Sequence, residues 1–164
     1  MPIWADTSTV QDLLDQLAKP ELPNWQMVED AIWTEWSKSG SPSMDLLLQR
    51  GRTAMEEGDF GQALEHFSAL VDHAPDFAEG YNMRATAYFN LGLYGPATHD
   101  IGTVLSLNPD HFGALTGLGA ILEQSQDADR ALAAYRAAAA IHPHDPDLKS
   151  AIERLEEQVE GIDL

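Results

Sequence analysis

The sequence predicts an all-α fold, a solenoid of stacked helical hairpins, and three observations predict it. A period of 34 residues runs through most of the chain, kept by Pro75, Pro109 and Pro143 and by Ala63, Ala97 and Ala131. Phe67, Ile101 and Tyr135 repeat at that interval, as do Leu47, Tyr81 and Leu115, and Gly51, Ala85 and Gly119. Within each period, apolar residues recur at three- and four-residue steps, the spacing of one helix face. Glycine and proline fall between these stretches, where helices end. Five chemically coherent columns at one interval mark an internal repeat.

Residues 1–40 carry two helical patterns and 7 acidic against 2 basic groups. The first, around Thr9–Ala18, offers Val10, Leu13, Leu14 and Leu17 and stops before Pro20 and Pro23. The second begins at Asn24, a good N-cap, and carries Trp25, Val28, Ile32, Trp33 and Trp36. Glu29 stands where the alanine column would continue, so this is a degenerate pair, expected to cap the first true unit. Large apolar residues at helical spacing are packing residues; the alternative is that the three tryptophans mark a partner or dimer surface.

The first full unit places Leu47, Gly51 and Ala54 on one face of a helix over 44–57. Phe60, Ala63, Leu64, Phe67, Leu70 and Val71 share a face over 60–73. Between them Gly58 ends one helix and Asp59 caps the next, with Gln62 three residues on. Small residues in two columns let the helices of a unit approach, and large residues fill the space around that contact. Proline closes each second helix. Asp76 then restarts the pattern, with Glu79 placed to complete a capping box.

This pattern resembles the tetratricopeptide repeat, a helix–turn–helix unit of that length. Three tandem copies are read at 44–77, 78–111 and 112–145, preceded by the helical pair at 1–40 and followed by a capping helix at 146–164. The resemblance implies a right-handed superhelix. The third copy departs most, with Gln126 and Ala128 replacing the glycine and aromatic of the turn, so a looser turn is expected there. In the last segment Asp145-Pro146 starts a helix whose stripe is Leu148, Ile152, Leu155 and Val159, backed by glutamates. That suits the polar-backed terminal cap a solenoid requires.

Composition narrows the function. With 27 acidic and 9 basic residues among 164, the formal charge is −18, which disfavours nucleic acid and anionic lipid. Cysteine is absent, so disulfides, thiolate metal sites and thiol nucleophiles drop out. No apolar run is long enough to span a bilayer. No nucleophile elbow, phosphate loop, HExxH or EF-hand loop is present, and no catalysis or cofactor is expected. The best metal candidate is His142-Pro143-His144-Asp145 with His111 a repeat earlier; lacking a positioned tetrahedral set, it reads as an exposed inter-repeat turn. Ile3-Trp4-Ala5 before Asp6 resembles the tail of a secretory cleavage site, which would place the protein in the periplasm. Read as an ordinary terminus, it leaves the protein in the cytoplasm.

The resemblance also implies where a ligand would sit. In that family the first helix of each unit lines a concave groove, which here assigns Leu48, Arg52 and Met55 from the first copy. The second copy contributes Asn82, Thr86 and Phe89, and the third Thr116, Ala120 and Glu123. Arg52 is the one cation of this set, and Gly113 and Gly117 stand where a carboxylate clamp would need two more. The expected partner is therefore a protein segment, apolar with neutral or basic flanks, held by a monomer or weak dimer acting as an adaptor. A chaperone similar to those of type III secretion translocators is the alternative, suggested by small size, acidity, three repeats and an N-terminal helical extension.

Overall fold

A computed structural model describes residues 9–162. Every regular element among the described residues is helical. In chain order these are α1 (Val10–Leu17), α2 (Trp25–Trp36), α3 (Pro42–Glu56), α4 (Phe60–His73), α5 (Ala78–Asn90), α6 (Tyr94–Leu107), α7 (Phe112–Gln124), α8 (Ala128–Ile141) and α9 (Pro146–Ile162). The Pro2–Ala5 stretch read for localisation lies outside the described residues.

From α3 onward each helix packs on the next, and α5 also touches α3 and α7, so the first helices of the units line one continuous face. The repeat columns account for this stacking. Ala63, Ala97 and Ala131 are each fully buried where the two helices of a unit meet. Phe67, Ile101 and Tyr135 fill the adjoining space, and Leu148 and Leu155 of α9 close the last unit as the expected cap.

The turns inside the three units are closed by the same hydrogen bonds. Asp59 N–H donates to Ala54 O, Leu93 to Tyr88 O and Asp127 to Leu122 O, each at 2.9 Å. The residue before each donor sits in the left-handed region: Gly58 at φ 76°, Gly92 at φ 73° and Gln126 at φ 60°. The looser third turn expected from Gln126 is thus not present. Tertiary packing holds a glutamine in the conformation glycine adopts without strain.

Two expectations are corrected here. Glu79 closes no capping box: the N-cap of α5 is Phe77, with no side-chain cap bond, and Glu79 is buried. Nor does the α1–α2 pair stack on α3 as a leading cap. Its core of Leu14, Leu17, Val28 and Ile32 is completed by Phe112 of α7, with Ile141 of α8 packed against it. The pair lies across the start of α7 and the end of α8, where Trp33 and Trp36 meet His111 and Phe112 and Trp25 meets His142.

Candidate functional site

The face formed by α5 and α7 contains a cavity of about 210 Å³. Its walls are Asn82, Thr86 and Phe89 of α5 and Gly113, Thr116, Gly117 and Ala120 of α7, with Ile101 of α6 as floor. Helical periodicity explains the convergence, since 82, 86 and 89 share one side of α5 while 113, 116, 117 and 120 share the facing side of α7. Gly117 borders the cavity, and a Cβ there would stand 3.6 Å from Ile101 Cδ1, in ordinary contact.

The polar groups on this wall are oriented. Thr86 Oγ1 donates to Asn82 O at 3.0 Å and Thr116 Oγ1 to Phe112 O at 2.8 Å. Asn82 Nδ2 donates to Glu79 Oε1 at 3.3 Å. Each hydroxyl proton is thereby used within its own helix. What the two threonines and the Asn82 carbonyl offer a ligand is acceptor capacity.

Behind the wall lies a buried polar knot. Glu79 is 1 % exposed and accepts from Arg52 Nη2 at 3.4 Å and from Asn82. Its other oxygen faces His111 Nε2 at 3.1 Å. His111 Nδ1 accepts the Ala114 N–H at 3.0 Å, which caps α7 and leaves the ring proton on Nε2, pointing at Glu79. Arg52 Nη2 also donates to Ser37 Oγ at 2.9 Å. Burial of these charged groups is thus matched by hydrogen bonds at every atom that faces inward.

Of the nine positions expected in the groove, five converge on the cavity: Asn82, Thr86, Phe89, Thr116 and Ala120. Leu48 does not, being 2 % exposed in the α3–α4 core, because its turn of α3 faces α4. Met55 packs on the same core. Arg52 is engaged by Glu79 and Ser37 and is not a free cation of the groove. Glu123 turns toward α8 and α9, accepting from Tyr135 Oη at 2.7 Å and from Arg154 Nη2 at 2.7 Å. Its partial burial works against the charge, but the Tyr135 and Arg154 hydrogen bonds prevail and hold its carboxyl below the usual range. Burial, with the bond to Glu123, pushes the Tyr135 hydroxyl well above the ordinary phenol value.

The reading of His142-Pro143-His144 as an exposed turn is also corrected. His142 is 2 % exposed and its Nε2 lies 2.6 Å from Glu29 Oε2, while His144 stacks on Trp25. The described residues contain no group of three or more His, Cys, Asp or Glu side chains placed to hold a metal ion. Sequence reasoning missed the knot because its members lie on three helices. The one local signal was Glu79 and Asn82, three apart on the groove side.

The tetratricopeptide repeat profile matches residues 48–97 and 82–146, the stretch that builds α3 to α8. The chain belongs to the tetratricopeptide repeat family. A TPR repeat-containing protein of Rhizobium etli is 34% identical over 153 residues, covering 93% of this chain and 75% of that protein. The Hsp70–Hsp90 organizing protein of Triticum aestivum is 31% identical over 103 residues, but the chain spans only 18% of its length. Among solved structures, the TPR domain of Sgt2 from Aspergillus fumigatus matches with a TM-score of 0.70 at 22% identity, covering 75% of this chain and 83% of that one. The first TPR of Spaghetti (RPAP3), bound to the HSP90 peptide SRMEEVD, matches with a TM-score of 0.68 at 20% identity, covering 71% and 93%. The TPR units of this chain share the fold of those domains.

Proposed function

We propose that this TPR protein is a non-catalytic interaction module, and that the α5–α7 groove holds an extended or helical segment of a partner protein. The observation that carries this reading is the cavity itself. Its lining is mostly apolar, with Phe89, Ala120 and Ile101 around a space of about 210 Å³, room for one bulky apolar side chain. Family relatives support a protein ligand: the Spaghetti domain holds a peptide, and other relatives are named as organizers of two chaperones.

The partner's flanks follow from charge. Arg52 is paired with Glu79, and among the described residues the cavity lining includes no lysine or arginine with which to grip a carboxylate. Thr86, Thr116 and Asn82 present acceptors, and the whole chain carries −18. A segment with a central Leu, Met or Phe and neutral or basic neighbours fits both features. The secretion-chaperone reading gains nothing from the geometry, since Trp25, Trp33 and Trp36 are engaged within the chain.

A positional peptide library tests the assignment. Binding should select a bulky apolar residue flanked by Lys or Arg. Phe89→Ala, which removes a wall, and Gly117→Leu, which fills the cavity, should each weaken the selected peptide about tenfold, on the order of 1.4 kcal/mol. A library with no apolar preference, or variants that bind as the parent does, would overturn the groove assignment.

A further inference from the structure

The three units of this chain act as controls for one another, and the turn inside the second differs from the other two. Glu57, Leu91 and Ser125 are equivalent by the period, as are Asp59, Leu93 and Asp127. Asp59 and Asp127 cap the second helix of their units, accepting the N–H of Gln62 at 3.0 Å and of Arg130 at 3.2 Å. In the second unit the donor's place is taken by Pro96, which has no N–H, so residue 93 is released from capping. The backbone is otherwise the same: Leu93 stands at φ −91° and ψ 73°, Asp59 at φ −88° and ψ 75°. A position free of its local task, on a chain of charge −18, holds a leucine, and residue 91 holds another.

Neither leucine is taken up by the core. Leu91 is 43 % exposed and Leu93 46 %. Folding gains little from them there, whereas cover by another chain removes their apolar surface from water. The patch is continuous with the α5–α7 cavity. Phe89 lines the cavity and packs on Tyr94 with ring centroids 5.5 Å apart, and Tyr94 directly follows Leu93. The other end of the cavity is occupied, since Trp33 stands against Gly113, where a Cβ would lie 2.5 Å from its ring. Because α5 touches both α3 and α7, the closing turns of the units form a row. On the first unit's side of the leucines Glu56, Glu57 and Asp59 are exposed, and none of them is in an ion pair among the described residues. On the third unit's side Asp127 is paired with Arg130.

We propose that the turn at Leu91 and Leu93 is a second anchor point for the partner segment held in the α5–α7 groove. An apolar residue of that segment lies on the two leucines, and a lysine or arginine beside it reaches Glu56 and Glu57. The inference rests on the groove reading and adds a direction to it: the segment leaves the cavity past Phe89, at the C-terminal end of α5, and not past Gly113. The leucines supply affinity, and the unpaired carboxylates hasten encounter and select the basic neighbour.

The test selects a random peptide library on the full-length chain and on its variants. The parent should enrich peptides with two apolar positions, one of them next to Lys or Arg. Leu91→Glu/Leu93→Asp, which recreates the turn of the first unit, should keep only one of these positions and bind the parent's peptides about tenfold more weakly. Gly117→Leu, which fills the cavity, should remove the other. Glu56→Gln/Glu57→Gln should keep both apolar positions and lose the basic preference. The thermal midpoint of Leu91→Glu/Leu93→Asp should stay within roughly 2 °C of the parent, as befits exposed side chains. A midpoint well below that would mean that the leucines serve folding, and overturns the proposal. A single apolar position on the parent, unchanged in Leu91→Glu/Leu93→Asp, leaves the groove reading standing and overturns the second anchor. No apolar position on the parent overturns both.

Discussion

A Cβ on Gly119 would stand 2.5 Å from Cε1 of Tyr135, the residue that occupies the large column of the same unit. The first unit repeats the relationship between Gly51 and the ring of Phe67. In the second unit the large residue is Ile101 and the small one is Ala85, buried against it. An aromatic therefore goes with glycine, and a branched aliphatic with alanine. The two columns share one volume.

Gly119→Ala should accordingly destabilise the protein by about 1–3 kcal/mol through overpacking. Adding Tyr135→Ile, which recreates the pair found in the second unit, should recover part of that loss. Urea denaturation of the two variants checks it; additive losses would contradict a shared volume.

Replacing Gln126 with glycine should raise stability by roughly 0.5–1 kcal/mol, since φ 60° strains a glutamine and suits glycine. Thermal unfolding of Gln126→Gly reads the change. An unchanged or lower midpoint would mean that the side chain compensates for the backbone.

Removing His111 should be among the more damaging changes outside the apolar core. His111→Ala takes a partner from buried Glu79 and the cap from α7 together, at about 3 kcal/mol. Arg136→Ala breaks an exposed pair with Glu156 and should cost within about 0.5 kcal/mol. Denaturant titration of both variants separates a buried knot from a surface contact.

Tyr135 gives the stability curve an alkaline limb. Its hydroxyl titrates higher in the folded chain than in the unfolded one, so its contribution is complete below the unfolded value near pH 10 and is lost as pH rises beyond it. Glu123 acts with the opposite sign: held low in the folded chain, it favours folding above its unfolded value near pH 4 and ceases to do so in stronger acid. Unfolding free energies measured across pH should lose the alkaline slope in Tyr135→Phe and keep it in Tyr81→Phe.

The fold was legible because each column of the period has a local cause. Alanine at 63, 97 and 131, proline after each second helix, and Asp59 accepting the Gln62 N–H as a cap are decisions made within a few residues. Half of the groove was legible for the same reason: Asn82, Thr86 and Phe89 share one side of one helix. Leu48 and Glu123 were misjudged because a repeat template assigns a direction to each position, whereas the actual neighbours, α4 for one and Arg154 of α9 for the other, decide it. The site of α1–α2 was not legible at all. It depends on Trp33 meeting a glycine 80 positions later, a contact between residues with no shared spacing.

The knot at Glu79 has a mechanical meaning. One carboxylate rivets α5 to Arg52 on the preceding first helix and to His111 at the head of the following one. Splaying neighbouring units at that margin would pull Glu79 from Arg52 and His111 and break the buried pairs that satisfy it. A change in curvature should therefore come more easily at the opposite margin, near Asn90 and Gln124, where both side chains are exposed.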